Sequence, residues 1–205
     1  MSTYRTGFWN RIAKSYASRP VGDEAAYQVK LDKTAALMTS DMRVLEFGCG
    51  TGTTALKHAG RVAQIDAIDF SEEMIAIARD KGTGIENVHF AVSPIEEWPV
   101  PDGGYDMVMA HSVLHLVNDV DATLMQVRKM LKPGGFLVTS TICIGDMNPL
   151  LTWFIPLSGV VRVIPRVHRL KADRLRERIR AAGFEEVEFW RPAPGKAVFI
   201  IARAI

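Results

Sequence analysis

Short apolar runs alternate along this chain with segments in which apolar residues recur every three or four positions, the pattern of strands followed by helices. Strands are predicted around Val44–Phe47, Val62–Asp69, Asn87–Val92, Tyr105–Ala110 and Phe136–Ile142. Helices are predicted between them over Thr53–Gly60, Glu72–Asp80 and Asn118–Leu131. In the last of these, Val120, Leu124, Val127 and Leu131 fall on one face. Two helices precede the first strand. Gly7–Arg19 carries Phe8, Ile12 and Tyr16 at i, i+4 and i+8 and is stopped by Pro20. Glu24–Met38, which Asp23 can cap, carries Tyr27, Leu31 and Ala35 on one face. The chain closes with an amphipathic helix, Lys171–Gly183, with Leu175 and Ile179 inward, and two strands, Glu185–Trp190 and Ala197–Ala202. Alternation of this kind predicts an α/β sandwich, a mostly parallel sheet with helices on both faces. One domain is expected over residues 1–205. It comprises an N-terminal helical cap (1–40), a ligand-binding core (41–142), an apolar insertion (143–170) and a C-terminal helix with a strand pair (171–205).

The glycines at the end of the first strand change this picture from a fold to a site. In Glu46-Phe47-Gly48-Cys49-Gly50-Thr51-Gly52 a strand runs into a tight turn and then a helix N-terminus. Glycine permits positive φ and lets a ligand approach the backbone, while the free N–H groups of the helix start add partial positive charge. Dinucleotide sites use G-x-G-x-x-G with pyrophosphate on the helix N-terminus. Here the spacing is G-x-G-x-G, and Glu46 would repel a pyrophosphate but suits a cationic amino acid group. Asp69 ends the second predicted strand, 17 positions after Gly52. A carboxylate there can accept hydrogen bonds from two ribose hydroxyls, or it can serve the following helix as a cap. Ser71 is a good N-cap for that helix.

Composition narrows the function classes. A formal net charge of +2 over 205 residues does not call for nucleic acid as a partner. Two cysteines, Cys49 and Cys143, make no disulfide framework or metal cluster, so both are expected reduced and the compartment cytoplasmic. No run is long and charge-free enough to span a bilayer, and the first residues lack the apolar run of a signal peptide. His111 and His115, after the fourth strand, would share a face on a helical turn. No third ligand accompanies them at metal spacing, so they read as weak candidates for a general base or as structural histidines.

The tract Glu46–Gly52 resembles motif I of the class I S-adenosylmethionine-dependent methyltransferases, E/D-x-G-x-G-x-G. Asp69-Phe70-Ser71, with Met74, is similar to that family's D-x-S-x-x-M pattern, and Met130-Leu131-Lys132-Pro133-Gly134-Gly135-Phe136 resembles its second signature. The opening Phe8-Trp9-Asn10-Arg11-Ile12-Ala13-Lys14-Ser15-Tyr16 is similar to the start of small-molecule members, including the quinone-biosynthesis (type 11) branch. The resemblance implies a Rossmann-like sheet of seven strands with the last antiparallel. It implies S-adenosylmethionine as cofactor, S-adenosylhomocysteine as product, and a small, hydrophobic acceptor. The implied cofactor site takes in Glu46, Gly48, Cys49, Gly50, Thr51, Gly52, Asp69, Phe70 and Met74. It also includes Ser93, Pro94, Ile95, Ala110 and Tyr16. Pro94 stands where the family carries an acid for the adenine amino group, so backbone and apolar contacts are expected there instead. Trp9 and Tyr16 either face the ligand or pack the first helices onto the core.

The stretch from Gly145 to Leu170 breaks the alternation. It is apolar, holds Pro149, Pro156 and Pro165, and ends in basic residues. As a substrate lid it would place Trp153 and Phe154 over the acceptor. A dimer contact, a peripheral membrane helix and a buried helical insertion are the other readings. No N-P-P-Y tetrapeptide follows the fourth strand, which argues against a nucleic-acid substrate. Two rival functions stay open at this stage: an NAD(P)-dependent oxidoreductase and a non-catalytic protein that binds S-adenosylmethionine or S-adenosylhomocysteine.

Overall fold

The computed structural model describes residues 6–147 and 168–205. Seven strands form one sheet: β1 Arg43–Phe47, β2 Gln64–Asp69, β3 Val88–Val92, β4 Tyr105–His111, β5 Leu131–Thr141, β6 Phe184–Trp190 and β7 Val198–Ala204. Their spatial order is β3-β2-β1-β4-β5-β7-β6. The first five strands run parallel, and β7 lies antiparallel between β5 and β6. Strand order reverses between β1 and β4, the crevice where ligands bind in open α/β sheets.

Side chains alternate across the sheet, as the pleat requires. Leu45, Phe47, Val108 and Ala110 join one buried cluster with Leu124, Val127, Leu175 and Ile179. Val44, Met107 and Met109 join the other with Ala55 and Ile75. The first cluster is covered by α5 (Val120–Met130) and α6 (Ala172–Ala181). The second is covered by α3 (Thr53–His58) and α4 (Glu72–Lys81). The amphipathic faces read from the sequence for α5 and α6 are the buried ones: Leu124 and Leu175 are fully enclosed.

Ahead of the sheet stand α1 (Thr6–Ala17) and α2 (Glu24–Ala35). The Asp23 side chain accepts from the Ala26 N–H, capping α2. In α1 the deeply buried residue is Ala13, whereas Tyr16, at 46% exposure, is turned toward a cavity. The Ser71 hydroxyl donates to Asn10 Oδ1 at 2.6 Å, and its oxygen accepts from the Met74 N–H at 3.3 Å. One serine thus caps α4 and docks α1 on it.

Two local expectations change. β5 begins at Leu131, opposite Tyr105, with a register shift before Met107 meets Phe136. The Lys132–Gly135 turn is therefore carried inside the strand as an irregularity, and Leu131 belongs to the strand and not to α5. After β4 there is no helical turn through both histidines. His111 is the last residue of the strand, and Ser112 takes φ 55°, a left-handed conformation that swings the chain away.

Beneath the sheet edge, Asp66 is a buried carboxylate inside β2. It accepts from the Tyr105 hydroxyl at 2.8 Å, Arg43 Nη2 at 3.0 Å and Gln64 Nε2 at 2.8 Å. Trp98 Nε1 in turn donates to the Tyr105 oxygen at 2.9 Å. Burial alone would raise the Asp66 carboxyl; these donors outweigh it and hold it below the ordinary carboxylate value.

Candidate active site

The glycine turn is built as its spacing predicts. Gly48, Gly50 and Gly52 take φ of 64°, 55° and 75°. A Cβ at Gly48 would lie 2.4 Å from Val113 Cγ2, and one at Gly52 would lie 2.7 Å from the Phe90 ring. Close packing as well as backbone conformation therefore demands glycine at both positions. Gly52 caps α3, and the turn is braced by Cys49 N–H to Ile68 O at 3.0 Å.

Asp69 ties two loops together. Its Oδ2 accepts from the Gly50 N–H at 3.0 Å and its Oδ1 from the Ser71 N–H at 2.9 Å. The Phe70 backbone N–H also bonds this carboxylate, so of its roughly four lone-pair directions one remains for a ligand hydroxyl. The carboxylate does not cap α4, because Ser71 does that. Burial raises the Asp69 carboxyl despite the opposing backbone hydrogen bonds.

Glu46 is 2% exposed, and its Oε2 has no partner. Burial pushes its carboxyl up to about 8; a backbone hydrogen bond from Ala55 opposes this and the Asp69 charge adds to it. A buried acid poised near neutrality, with one oxygen unsatisfied, is suited to an incoming ammonium. The Cys49 thiol is pushed well above its ordinary value by the same burial and the same two carboxylates, so it is not a thiolate.

Two cavities meet at Gly48. A narrow cleft of about 20 Å³ is lined by Phe47, Asp69, Phe70, Ser93, Pro94 and Ile95, with Val113, Leu116 and Val117 opposite. The second cavity, about 630 Å³, is far larger. On its sheet side lie Glu46, Cys49, Gly50, Thr51, His111, Ser112 and Ser140; on its helical side lie Tyr16, Tyr27, Lys30 and Thr34. The residues fit the implied cofactor. Asp69 and the apolar cleft suit a nucleoside, and the orphaned Glu46 oxygen suits an amino acid ammonium.

The remaining predicted site residues fall into four groups. Ser93, Pro94 and Ile95 line the cleft, whereas Glu96 is exposed and lines neither cavity. Met74 and Ala110 are buried and support the loops from behind. Trp9 makes edge-on contacts with Phe8 and Tyr16 and lines neither cavity. Trp153 and Phe154 lie outside the described residues.

The two histidines separate. His111 lines the larger cavity with Nε2 unpartnered; burial, then the nearby His58 and Lys30, push it down to about 3. His115 is buried away from both cavities, and burial with the neighbouring His168 lowers it to about 4. Both are neutral imidazoles at neutral pH. Two participants escaped sequence reasoning. Lys30 was hidden on a helix outside the core, and Ser140 within a strand tail. The Tyr27 hydroxyl, 3.1 Å from Thr54 Oγ1, bridges the second helix to α3. The only prior hint was the three-residue step from Tyr27 to Lys30 along one helix.

Comparison with known proteins places this geometry. Residues 38–176 match the family model described as a methyltransferase domain. The chain belongs to that family, the S-adenosylmethionine-dependent methyltransferases. It is 38% identical over 102 residues to a malonyl-[acyl-carrier protein] O-methyltransferase of Bacillus cytotoxicus, covering 49% of this chain and 35% of that protein. It is 34% identical over 116 residues to a demethylmenaquinone methyltransferase of Staphylococcus aureus, covering 55% of this chain and 46% of that protein. These matches thus span less than half of each relative. Among solved structures, the N-methyltransferase NodS of Bradyrhizobium japonicum, in complex with S-adenosylhomocysteine, superposes with a TM-score of 0.73 at 17% identity, covering 96% of this chain and 98% of that one. The [4+2]-cyclase SpnF superposes with a TM-score of 0.71 at 23% identity, covering 91% and 83%. Likeness at this identity speaks for the fold alone.

Proposed function

We propose that this chain transfers a methyl group from S-adenosylmethionine to a small molecule held in the larger cavity. The observation that carries the reading is the continuity of that cavity from the glycine turn and Glu46 to His111 and Ser140. Cofactor and acceptor can then share one continuous cavity. The bound cofactor supplies a methyl activated by its sulfonium. The chain's part is to hold the ribose on Asp69 and the ammonium on Glu46, and to keep the acceptor aligned and out of water. Adenine recognition falls to the backbone and apolar surface around Pro94 and Ile95. Relatives named for acyl and quinone acceptors support a small-molecule acceptor, and two buried cysteines support a reducing, cytoplasmic setting.

Calorimetry with S-adenosylhomocysteine and with NADH tests the cofactor assignment. Binding of the first and not the second is expected, with Asp69→Ala weakening it by about 1–3 kcal/mol. Preference for NADH would overturn the reading. The non-catalytic alternative rests on Pro94, which replaces the family's adenine-binding acid. Formation of S-adenosylhomocysteine with any small acceptor removes it.

A further inference from the structure

We propose that Lys30, Ser140 and His111 form the acceptor subsite, and that it takes a small acceptor bearing an anionic oxygen, a carboxylate or an ionised hydroxyl, seated on the Lys30 ammonium. This rests on the methyl-transfer reading above.

Lys30 Nζ donates to Ser140 Oγ at 2.8 Å, and both residues line the larger cavity. An ammonium carries three donors, so two are left for a ligand. Among the described residues no carboxylate forms an ion pair with Lys30. Asp23, the nearest acid felt by it, is engaged by Lys196 at 3.6 Å and by the Ala26 N–H at 3.1 Å. A half-buried cation without a counter-ion is costly, and an anionic ligand relieves that cost. The lowered Lys30 ammonium, caused first by burial, agrees.

Sheet register sets the spacing. Glu46 is on β1, His111 on β4 and Ser140 on β5, in adjacent positions across the sheet. His111 pairs directly with Ser140, whereas Glu46 pairs with Met109, two residues earlier on β4. Two inter-strand steps across and two residues along the strand place Ser140, and the Lys30 bound to it, roughly 12 Å from Glu46 along the backbone. The cavity therefore has an acidic end suited to the cofactor's ammonium and a basic end beyond it. The cofactor's own carboxylate is a poor occupant of the basic end, because it shares a carbon with that ammonium. His111 lies between the two ends, neutral and with Nε2 free of a protein partner, able to hydrogen-bond a second polar atom of the acceptor.

The test uses benzoate and its neutral isostere benzamide as probes of the full chain, with and without saturating S-adenosylhomocysteine. Binding is followed by ligand-observed NMR titration. Benzoate is expected to bind at least tenfold more tightly than benzamide. Lys30→Met should remove that preference while leaving S-adenosylhomocysteine affinity within about twofold, and Lys30→Arg should restore it. Equal binding of the two probes, no benzoate binding at all, or a Lys30→Met loss confined to S-adenosylhomocysteine overturns the proposal. Should the Met variant not fold, the benzoate-to-benzamide ratio of the unaltered chain still decides. Failure of S-adenosylhomocysteine to bind would sink the methyl-transfer reading, while the probe pair measured without it would judge the Lys30 subsite separately.

Discussion

Replacing Glu46 with glutamine separates two consequences of one buried acid. In the folded chain the carboxyl ionises near 8, against an ordinary value of 4.5, chiefly because it is buried. Between those values the folded state keeps a proton that the unfolded chain has released. Unfolding thus releases a proton, and stability falls as pH rises through this window, by up to about 1.4 kcal/mol per pH unit. Across the window the loss is several kcal/mol: the contribution is fully present below the lower value and entirely lost above the upper. Glu46→Gln keeps the shape and removes the ionisation, so urea midpoints measured from pH 5 to 8 should decline less steeply in the variant. Ligand binding carries the second consequence. At pH 6.5, below the folded value of about 8, the carboxyl is mostly protonated. An ammonium placed against Oε2 favours the charged form, so binding S-adenosylhomocysteine should expel that proton. Calorimetry in buffers of different ionisation enthalpy reads this directly: close to one proton released by the native chain, near zero by Glu46→Gln. Identical buffer dependence in both proteins would refute the pairing of Glu46 with the cofactor's ammonium.

Gly48→Ala drives a Cβ into Val113 at positive φ, so it should cost about 1–3 kcal/mol of stability and abolish cofactor binding; an unchanged melting temperature with full binding would contradict the packing. Tyr105→Phe removes the hydroxyl between Trp98 and Asp66, and should cost about 1–3 kcal/mol in urea unfolding while leaving cofactor affinity alone. A stability change below a few tenths of a kcal/mol would show that the network is dispensable. His58, His111 and His115 are held neutral by burial at about 4, 3 and 4. Their folded values lie below the ordinary one of 6.5, so the unfolded chain binds more protons and stability falls as pH drops below that value. His58→Gln should flatten the acid limb of the urea midpoint against pH; an unaltered limb would mean that this imidazole is not buried in the folded chain.

What could be read from residues alone followed from short-range rules. The strand–glycine–helix passage at Phe47–Gly52 and the cap at Ser71 are local, and both stand as spacing predicts. Asp69 was read correctly as an acid at a strand end, but its role as a tie between the Gly50 and Ser71 amides needs two loops brought together in space. The histidine pair misled because helical spacing was applied across a strand end; one left-handed residue, Ser112, was enough to break it. Lys30 was invisible for a different reason. Its value comes from Ser140, 110 positions away, and from the absence of an ion-paired acid among the described residues. Asp66 offered a signal that periodicity overlooks: a carboxylate inside a buried strand demands donors, and Arg43 and Tyr105 were there to be asked.

The placement of β7 between β5 and β6 has a consequence for how the chain is made. β6 is synthesised first, yet its one neighbour within the described sheet is β7. Until that later strand emerges, β6 has no backbone partner. Its Val187 and Phe189, 49% and 39% exposed even in the finished fold, stand on an open edge. β5 waits as well, with an entire flank unpaired. The cofactor-binding half, β1 to β5, can therefore collapse during synthesis while the far edge stays adhesive. Completion of the sheet is a single late event, in which one strand satisfies two others at once. The interval between the emergence of β6 and that of β7 is therefore the interval in which two unpaired edges are on offer.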